Sequence, residues 1–260
     1  MGILDTLPIW LFFMGMVVLS LAAAEIGFRI GIHLQDRNSN SGDTRMTSTV
    51  VGGMLGLVGF LMAFSIGIAI GHHGERKDMV VTEANAIGVA WLRAGFLDET
   101  DSEALRKILR EYAGLRLDAA NQVIELPAVI QRSEKAHEEM WSIIERNVRQ
   151  GNNSDTMSSL VESVNQVISI HSLRVTAAVK RLPAILGVVL ILSTIISFSL
   201  VGVASSADRK RDTTAIALFA LVFSAVLMIM VDLDQPQDGM LTVSQAAITD
   251  LLRQITPAGQ

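Results

Sequence analysis

Four long stretches of apolar residues dominate the chain, and polar residues are concentrated between the second and the third. The apolar stretches are predicted at about residues 8–32, 50–70, 184–204 and 215–231. Because a bilayer core about 30 Å thick requires roughly 20 apolar residues in a helix, each stretch is long enough to cross a membrane. Four such stretches in one chain of 260 residues argue against a large soluble helical core.

The polar middle of the chain shows helical periodicity and no alternation typical of strands. The helical pattern resumes directly after residue 71, so the second span is expected to continue out of the membrane to about Phe96. Thr100 and Glu103 fit a capping box at the start of the next helix. The fold class predicted is therefore an all-α integral membrane protein with an extramembrane helical domain between its second and third spans.

This pattern divides the chain into four segments. They are a first transmembrane pair (1–71), an extramembrane helical domain (72–183), a second transmembrane pair (184–231), and an acidic motif with an amphipathic tail (232–260).

The second span carries small residues at intervals of three and four, which places them on one face of a helix. This glycine strip consists of Gly52, Gly56, Gly59, Ala63 and Gly67. In lipid, small residues let two helix backbones approach closely. Phe60 and Phe64 lie one turn apart beside the strip. A tight helix–helix interface is favoured over a pore-lining face, and the two are compatible in a symmetric oligomer.

Ionisable residues are absent from the interiors of the predicted spans. Glu25, Arg29 and Asp232 all lie at their ends. Because pumps and many ion-coupled transporters place ionisable residues near the bilayer midplane, this pattern disfavours a secondary transporter. A passive pore gated by apolar side chains fits the pattern, and so does a protein that transports nothing.

A polar motif lies on the predicted extension of the second span and comprises Arg76, Glu83 and Asn85. Glu83 and Asn85 are placed to face a vestibule or a neighbouring subunit, and a solvated helix face explains them equally well. The adjacent histidines His72 and His73 point in different directions, so a metal site there would need ligands from elsewhere. We predict no metal site.

An acidic motif follows the fourth span and comprises Asp232, Asp234, Pro236 and Gly239. Carboxylates at the C-terminus of a helix oppose its macrodipole, so cationic partners are expected nearby. We predict ion pairs to basic residues at the base of the extramembrane domain, namely Arg76, Lys77, Lys180 and Arg181. A cation site is the alternative.

Composition narrows the class of protein further. Half of the residues are apolar and 18% are charged, against about a quarter in soluble domains. The net charge of −5 and the lack of a basic block predict no nucleic-acid partner, and the absence of cysteine excludes disulfides and thiolate sites. No phosphate loop or nucleophile elbow occurs, so we predict no catalytic residues, no cofactor and no enzyme activity.

Several segments resemble a bacterial membrane family described as bestrophin-like. They are GGMLGLVGFLMAFS from Gly52, EANAIG from Glu83, WLR from Trp91, LREY from Leu109 and DLDQPQDG from Asp232. Bestrophins are pentameric anion channels whose second helix lines the pore. The resemblance therefore implies Phe60 and Phe64 as constriction residues and a large domain in the cytoplasm. By contrast, the basic residues of the short loops, which weigh more in the positive-inside rule, slightly favour a large domain outside the cytoplasm.

The chain departs from the family pattern at two points. Gln235 stands where the family's aspartate motif usually has arginine, which puts one ion pair in doubt. The dense acidic calcium clasp of animal bestrophins is absent, which argues against calcium gating.

These features predict a channel-like, multi-pass protein of the inner (plasma) membrane that passes small inorganic ions, with anions favoured. Its partners would be the lipid bilayer and further copies of itself, with a pentamer as the assembly that the resemblance implies. The alternative is a non-conducting scaffold or sensor whose helical domain binds a protein.

Overall fold

The computed structural model describes residues 8–37, 44–121, 124–207, 212–235 and 240–256. Eight α-helices lie in these ranges, and no strand does. In chain order they are α1 (Ile9–Arg37), α2 (Thr44–Arg93), α3 (Glu99–Ala120), α4 (Leu126–Arg149), α5 (Asp155–Val179), α6 (Ala184–Ser206), α7 (Thr213–Asp234) and α8 (Ala246–Ile255). The predicted all-helical class is confirmed.

Four helices are long and apolar enough to cross a membrane, and they coincide with the four predicted spans. Helix α2 is the longest, with 50 residues. At 1.5 Å per residue it is about 75 Å long, more than twice the thickness of a bilayer core. The second span therefore continues outside the membrane as a single helix, as predicted, and a short 3-10 turn at Ala94–Phe96 follows it.

The chain forms two compact units. The membrane unit comprises Met1–His72 and Arg181–Leu241, and the extramembrane unit comprises His73–Lys180 and Thr242–Gln260. The boundary falls inside α2, so this helix contributes residues to both units. The tail helix α8 belongs to the extramembrane unit.

Helices α1, α6 and α7 pack together in the membrane unit, and α2 adds Val58 and Met62 to their core. Helices α1 and α6 approach so closely that a Cβ atom at Gly27 would lie 1.9 Å from the backbone oxygen of Ser199. A Cβ atom at Gly202 would lie 2.0 Å from the backbone oxygen of Ala24. Small residues therefore set the distance between these two helices.

A second apolar core lies inside the extramembrane unit, and α2, α3, α4, α5 and α8 all contribute side chains to it. Ile87 of α2, Leu109 of α3, Ile144 of α4, Leu160 of α5 and Ile248 of α8 are among its buried side chains. Each of these helices has one apolar face, and that face is buried only by packing against the other helices of the unit.

The helix ends follow local chemistry, with one correction. Asp98 caps α3 by accepting a hydrogen bond from the Asp101 amide at 2.9 Å. The predicted capping box of Thr100 and Glu103 is therefore wrong, because the helix already begins at Glu99. Gly151, with φ at 93°, follows the end of α4 in the left-handed region that glycine tolerates.

Candidate functional site

Helix α2 exposes one face in the membrane unit. A Cβ atom at any glycine of the strip (Gly52, Gly56, Gly59 and Gly67) would have no other group within 4 Å, and Ala63 is exposed. Phe60 and Phe64 are 68% and 56% exposed. Together these residues form what we call the open face of α2. The strip is thus not used for packing among the described residues of its own chain.

The opposite side of α2 is buried in the membrane unit. Val58, Met62, Ser65 and Ala69 follow one another at intervals of four, three and four, and all four are buried. The hydroxyl of Ser65 donates to the carbonyl oxygen of Leu61 at 2.8 Å, so its polarity is satisfied within the helix. This face attaches α2 to its own unit and leaves the open face for other partners.

An exposed face also occurs on the part of α2 that lies in the extramembrane unit. Its members are spaced by four, four and three residues and are exposed: Val81, Asn85, Val89 and Leu92. Asn85 is therefore a polar group on an otherwise apolar exposed stripe.

Glu83 lies at the centre of a buried polar cluster in the extramembrane unit. Its side chain is fully buried and forms ion pairs with Arg116 of α3, at 3.1 Å, and with Arg174 of α5. The hydroxyl of Tyr112 donates to the Glu83 Oε1 atom at 2.8 Å. This burial within the chain rules out both positions that the sequence left open for Glu83, the one facing a vestibule or a neighbouring subunit and the solvated helix face. One carboxylate instead connects α2 with α3 and α5.

Two histidines extend this cluster. The rings of His137, on α4, and His171, on α5, are 4.9 Å apart, and the His171 Nδ1 atom lies 3.5 Å from the Tyr112 hydroxyl. Burial, reinforced by the neighbouring His171, lowers the pKa of His137 to about 4. Burial and the nearby Glu83 carboxylate raise the pKa of Tyr112 well above its usual value. Both groups are therefore uncharged at neutral pH.

Arg76 is buried near the C-terminal end of α5. Its guanidinium donates to the carbonyl oxygens of Ala177, at 3.3 Å, and Lys180, at 2.8 Å. A cation is favourable there because carbonyl groups at a helix C-terminus lack partners within the helix and carry partial negative charge. Lys180 in turn pairs with Glu75 at 2.9 Å.

Asp232, the first residue of the acidic motif, is held by backbone amides. Asp232 is 2% exposed, and its two carboxylate oxygens accept hydrogen bonds from the amides of Met240, at 2.6 Å, and Leu241, at 2.9 Å. For Asp232 the structure differs from the predicted ion pair. Two backbone amides satisfy its carboxylate, where a basic side chain was expected. Pro236 and Gly239 lie outside the described residues.

Asp234 accepts a hydrogen bond from the Leu182 amide at 2.9 Å, and its Oδ1 atom lies 4.0 Å from the His72 Nδ1 atom. It therefore connects the end of α7 with the segment that precedes α6. Across the described ranges, no group of three or more histidine or carboxylate side chains could hold a metal ion.

The comparison with known families identifies the chain. A model of the bestrophin-like domain matches residues 14–248. The chain belongs to the bestrophin-like family. A comparison with curated proteins finds no matching relative for this bestrophin-like protein.

Solved structures of other membrane proteins share its fold. An aspartate-to-alanine variant of a bestrophin homologue from Klebsiella pneumoniae aligns with a TM-score of 0.68 and 12% identity, over 93% of this chain and 97% of that one. A tyrosine-to-alanine variant gives the same TM-score and identity over 94% and 97%. A proline-to-alanine variant described as a membrane protein gives 0.66 and 13% over 95% and 97%. At such low identity the likeness shows the fold alone.

Two features of this bestrophin-like protein were missed in the sequence. Gly27 and Gly31 of α1 have the spacing of four that is typical of close helix packing, although their run is shorter than that of the glycines of α2. The partners of Glu83 carried no local signal, because Arg116 and Arg174 lie 33 and 91 residues further along the chain.

Proposed function

We propose that this protein is a homo-oligomeric, channel-like protein of the inner membrane that passes small inorganic ions, preferentially anions, by a passive mechanism. The observation that carries the proposal is the open face of α2. A membrane-spanning helix whose glycine strip is unpacked among the described residues of its own chain retains an interface for another copy.

The geometry of α2 supports three different surfaces. With about 100° of rotation per residue, the strip lies roughly 130° around the helix from the buried face, and the two phenylalanines lie roughly 80° beyond the strip. The buried face contacts its own unit. The strip suits close approach to a neighbouring copy, because glycine brings two backbones together in lipid. Phe60 and Phe64 would then face the axis of the assembly.

The chemistry of the open face supports a passive pore. Residues 50–71 contain no charged side chain, so an ion on this path meets neither a carboxylate ring nor a proton-relay group. Exposed phenylalanine rings would form a hydrophobic constriction that gates by excluding water. The preference for anions rests on the family, since bestrophins are anion channels, and on the lack of carboxylates along this segment.

Ion flux from liposomes tests the proposal. Vesicles containing the purified protein and loaded with chloride should release it, and a potassium chloride gradient should give a reversal potential near that of chloride. Phe60→Ala and Phe64→Ala should raise the rate severalfold, because the shorter side chain widens the constriction. Leu218→Ala is the matched control, since Leu218 is an apolar side chain of α7 that is also 60% exposed.

Two outcomes contradict the proposal. A folded oligomer that gives no flux in any of these variants would leave the scaffold or sensor function in its place. An equal effect of Leu218→Ala would show that the change in rate is not specific to α2.

A further inference from the structure

A pocket of about 420 Å³ lies in the membrane unit, between the start of α6 and the end of α7. Its walls are largely aliphatic, with Leu186, Ile191, Met230 and Val231 among the lining side chains. Its volume falls within the range of roughly 300–1,000 Å³ that is typical of small-molecule sites. The pocket is separate from the open face of α2, because Ser65, which lines it, is on the buried side of that helix.

The charged groups of this pocket lie together at one end. Arg181 precedes α6 and Asp234 ends α7, and the hydrogen bond from the Leu182 amide to Asp234 brings the two segments together. Ser65 lies seven residues before His72, whose ring is near Asp234, and seven residues of helix span roughly 10 Å. The pocket therefore extends from a charged rim about two helical turns into the apolar part of the membrane unit.

We infer that this pocket binds a phospholipid whose headgroup combines a phosphate with a primary ammonium, as in phosphatidylethanolamine. The guanidinium of Arg181 suits the phosphate, because its planar fork of N–H donors matches phosphate oxygens. The carboxylate of Asp234 suits the ammonium, which donates hydrogen bonds. The aliphatic walls take the first part of an acyl chain.

The pairing of opposite charges selects among lipids. Phosphatidylglycerol offers Arg181 a phosphate but leaves Asp234 facing a headgroup with no cation. Phosphatidylcholine offers a cation whose quaternary nitrogen has no N–H donor. Arg181 and Asp234 also have interactions within the protein, but guanidinium and carboxylate groups each hold several partners, so a headgroup adds to these contacts. The dipole at the start of α6 further favours a phosphate.

Native mass spectrometry of the full-length protein, with phosphatidylethanolamine, phosphatidylglycerol and phosphatidylcholine of identical chains at equal concentration, tests this inference. The unmodified protein should retain phosphatidylethanolamine in preference to the other two. Asp234→Asn keeps an acceptor for the Leu182 amide but removes the charge, so the ratio of bound phosphatidylethanolamine to phosphatidylglycerol should fall about tenfold. Arg181→Gln should reduce the binding of both lipids.

A pocket-filling variant tests the site without changing its charges. Gly187 lines the pocket, and a Cβ atom there would meet nothing within 4 Å, so the side chain of Gly187→Leu can start into this space without a backbone clash. We expect it to lose most of the bound phosphatidylethanolamine while the protein stays folded. Gly15→Leu is the control, because Gly15 is an equally unobstructed glycine on α1 that does not line this pocket.

The readout is lipid retention and not ion flux, so its result is independent of the proposed channel function. Unchanged retention in Gly187→Leu, or a lipid ratio that Asp234→Asn leaves unaltered, would overturn the inference. A loss of oligomer mass in Gly187→Leu with no change in bound lipid would assign the pocket to a second copy of the chain, and would overturn it as well.

Discussion

Helices α1 and α6 of the membrane unit meet at glycine, whereas the helices of the extramembrane unit meet around the carboxylate of Glu83. At Gly27 the backbones are so close that no side chain fits between them. At Glu83 three other side chains converge on one buried charge: Tyr112, Arg116 and Arg174. Close packing of helix backbones thus holds the membrane unit together, whereas paired buried charges contribute to holding the extramembrane unit together.

The difference follows from the solvent of each unit. Within lipid the hydrophobic effect does not bring helices together, and close van der Waals packing takes its place. Outside the membrane a large apolar core already provides cohesion, so a buried carboxylate is tolerated when cations and a hydroxyl satisfy it. The comparison predicts that shape-changing substitutions will be most costly in one unit and charge-changing substitutions in the other.

The largest expected effect is that of Glu83→Gln. The change leaves Arg116 and Arg174 buried without their counter-ion, and breaking a buried pair costs about 3–5 kcal/mol. The melting temperature of the purified protein should therefore fall by roughly 10 °C. Glu111→Gln is the control, because Glu111 is an exposed partner of Lys107 on α3. Equal melting temperatures for the two variants would show that the buried cluster is not needed for stability.

Gly27→Ala tests the packing of the membrane unit. Its methyl group would overlap the Ser199 carbonyl oxygen, so α1 and α6 must move apart at a cost of about 1–3 kcal/mol. Gly15→Ala, on the same helix but in open space, should be neutral or should stabilise the protein by up to about 1 kcal/mol. Thermal unfolding in detergent measures both. A melting temperature for Gly27→Ala as high as that for Gly15→Ala would contradict the proposed role of shape.

The pH dependence of stability tests the histidine part of the cluster. The pKa of His137 is lowered to about 4 in the folded protein, against about 6.5 when unfolded. The contribution of neutral His137 to the free energy of unfolding is therefore complete above about pH 6.5. It is lost as the pH falls towards 4, because the unfolded chain binds the proton at a higher pH than the folded chain does. The loss should be on the order of 2 kcal/mol.

Melting temperatures of the unmodified protein and of His137→Gln, measured across this pH range, test the effect, since groups outside the buried cluster titrate alike in both. The unmodified protein should lose more stability than the variant between pH 6.5 and 4. Parallel curves would mean that His137 is protonated without cost in the folded state.

The smallest expected effect on the fold is that of Gly56→Leu. Nothing lies within 4 Å of a Cβ atom there, so the helical content of the protein should stay unchanged. If the strip packs against another copy, the new side chain should instead lower the oligomer mass measured by native mass spectrometry. An unchanged mass would remove the strip from the subunit interface and would weaken the channel proposal.

Much of the fold was predictable from the sequence, because hydropathy and helical periodicity act over short distances. The continuation of α2 through residue 71 followed from the helical pattern that resumes there directly. The start of α3 was misplaced because two capping patterns overlap: Asp98 and Thr100 both suit an N-cap, and the structure uses Asp98.

The candidate site was predictable only in outline. The glycine periodicity of α2 located a face that matters, but the same periodicity cannot tell a glycine packed within the chain from one left open. Gly27 and Gly56 look alike in sequence, and only the approach of α6 distinguishes them. Likewise, the charge of Glu83 is visible in the sequence but its burial is not.

The sequence by itself determined how many helices cross the membrane, how far α2 extends beyond it, and the family to which the chain belongs. These depend on the length and chemistry of contiguous segments. The tertiary structure decided which face of α2 stays open, which cations hold Glu83, and that backbone amides bind Asp232. Each of these depends on helices or segments brought together by folding, and side chains that meet across such distances in the chain leave no local pattern to be recognised.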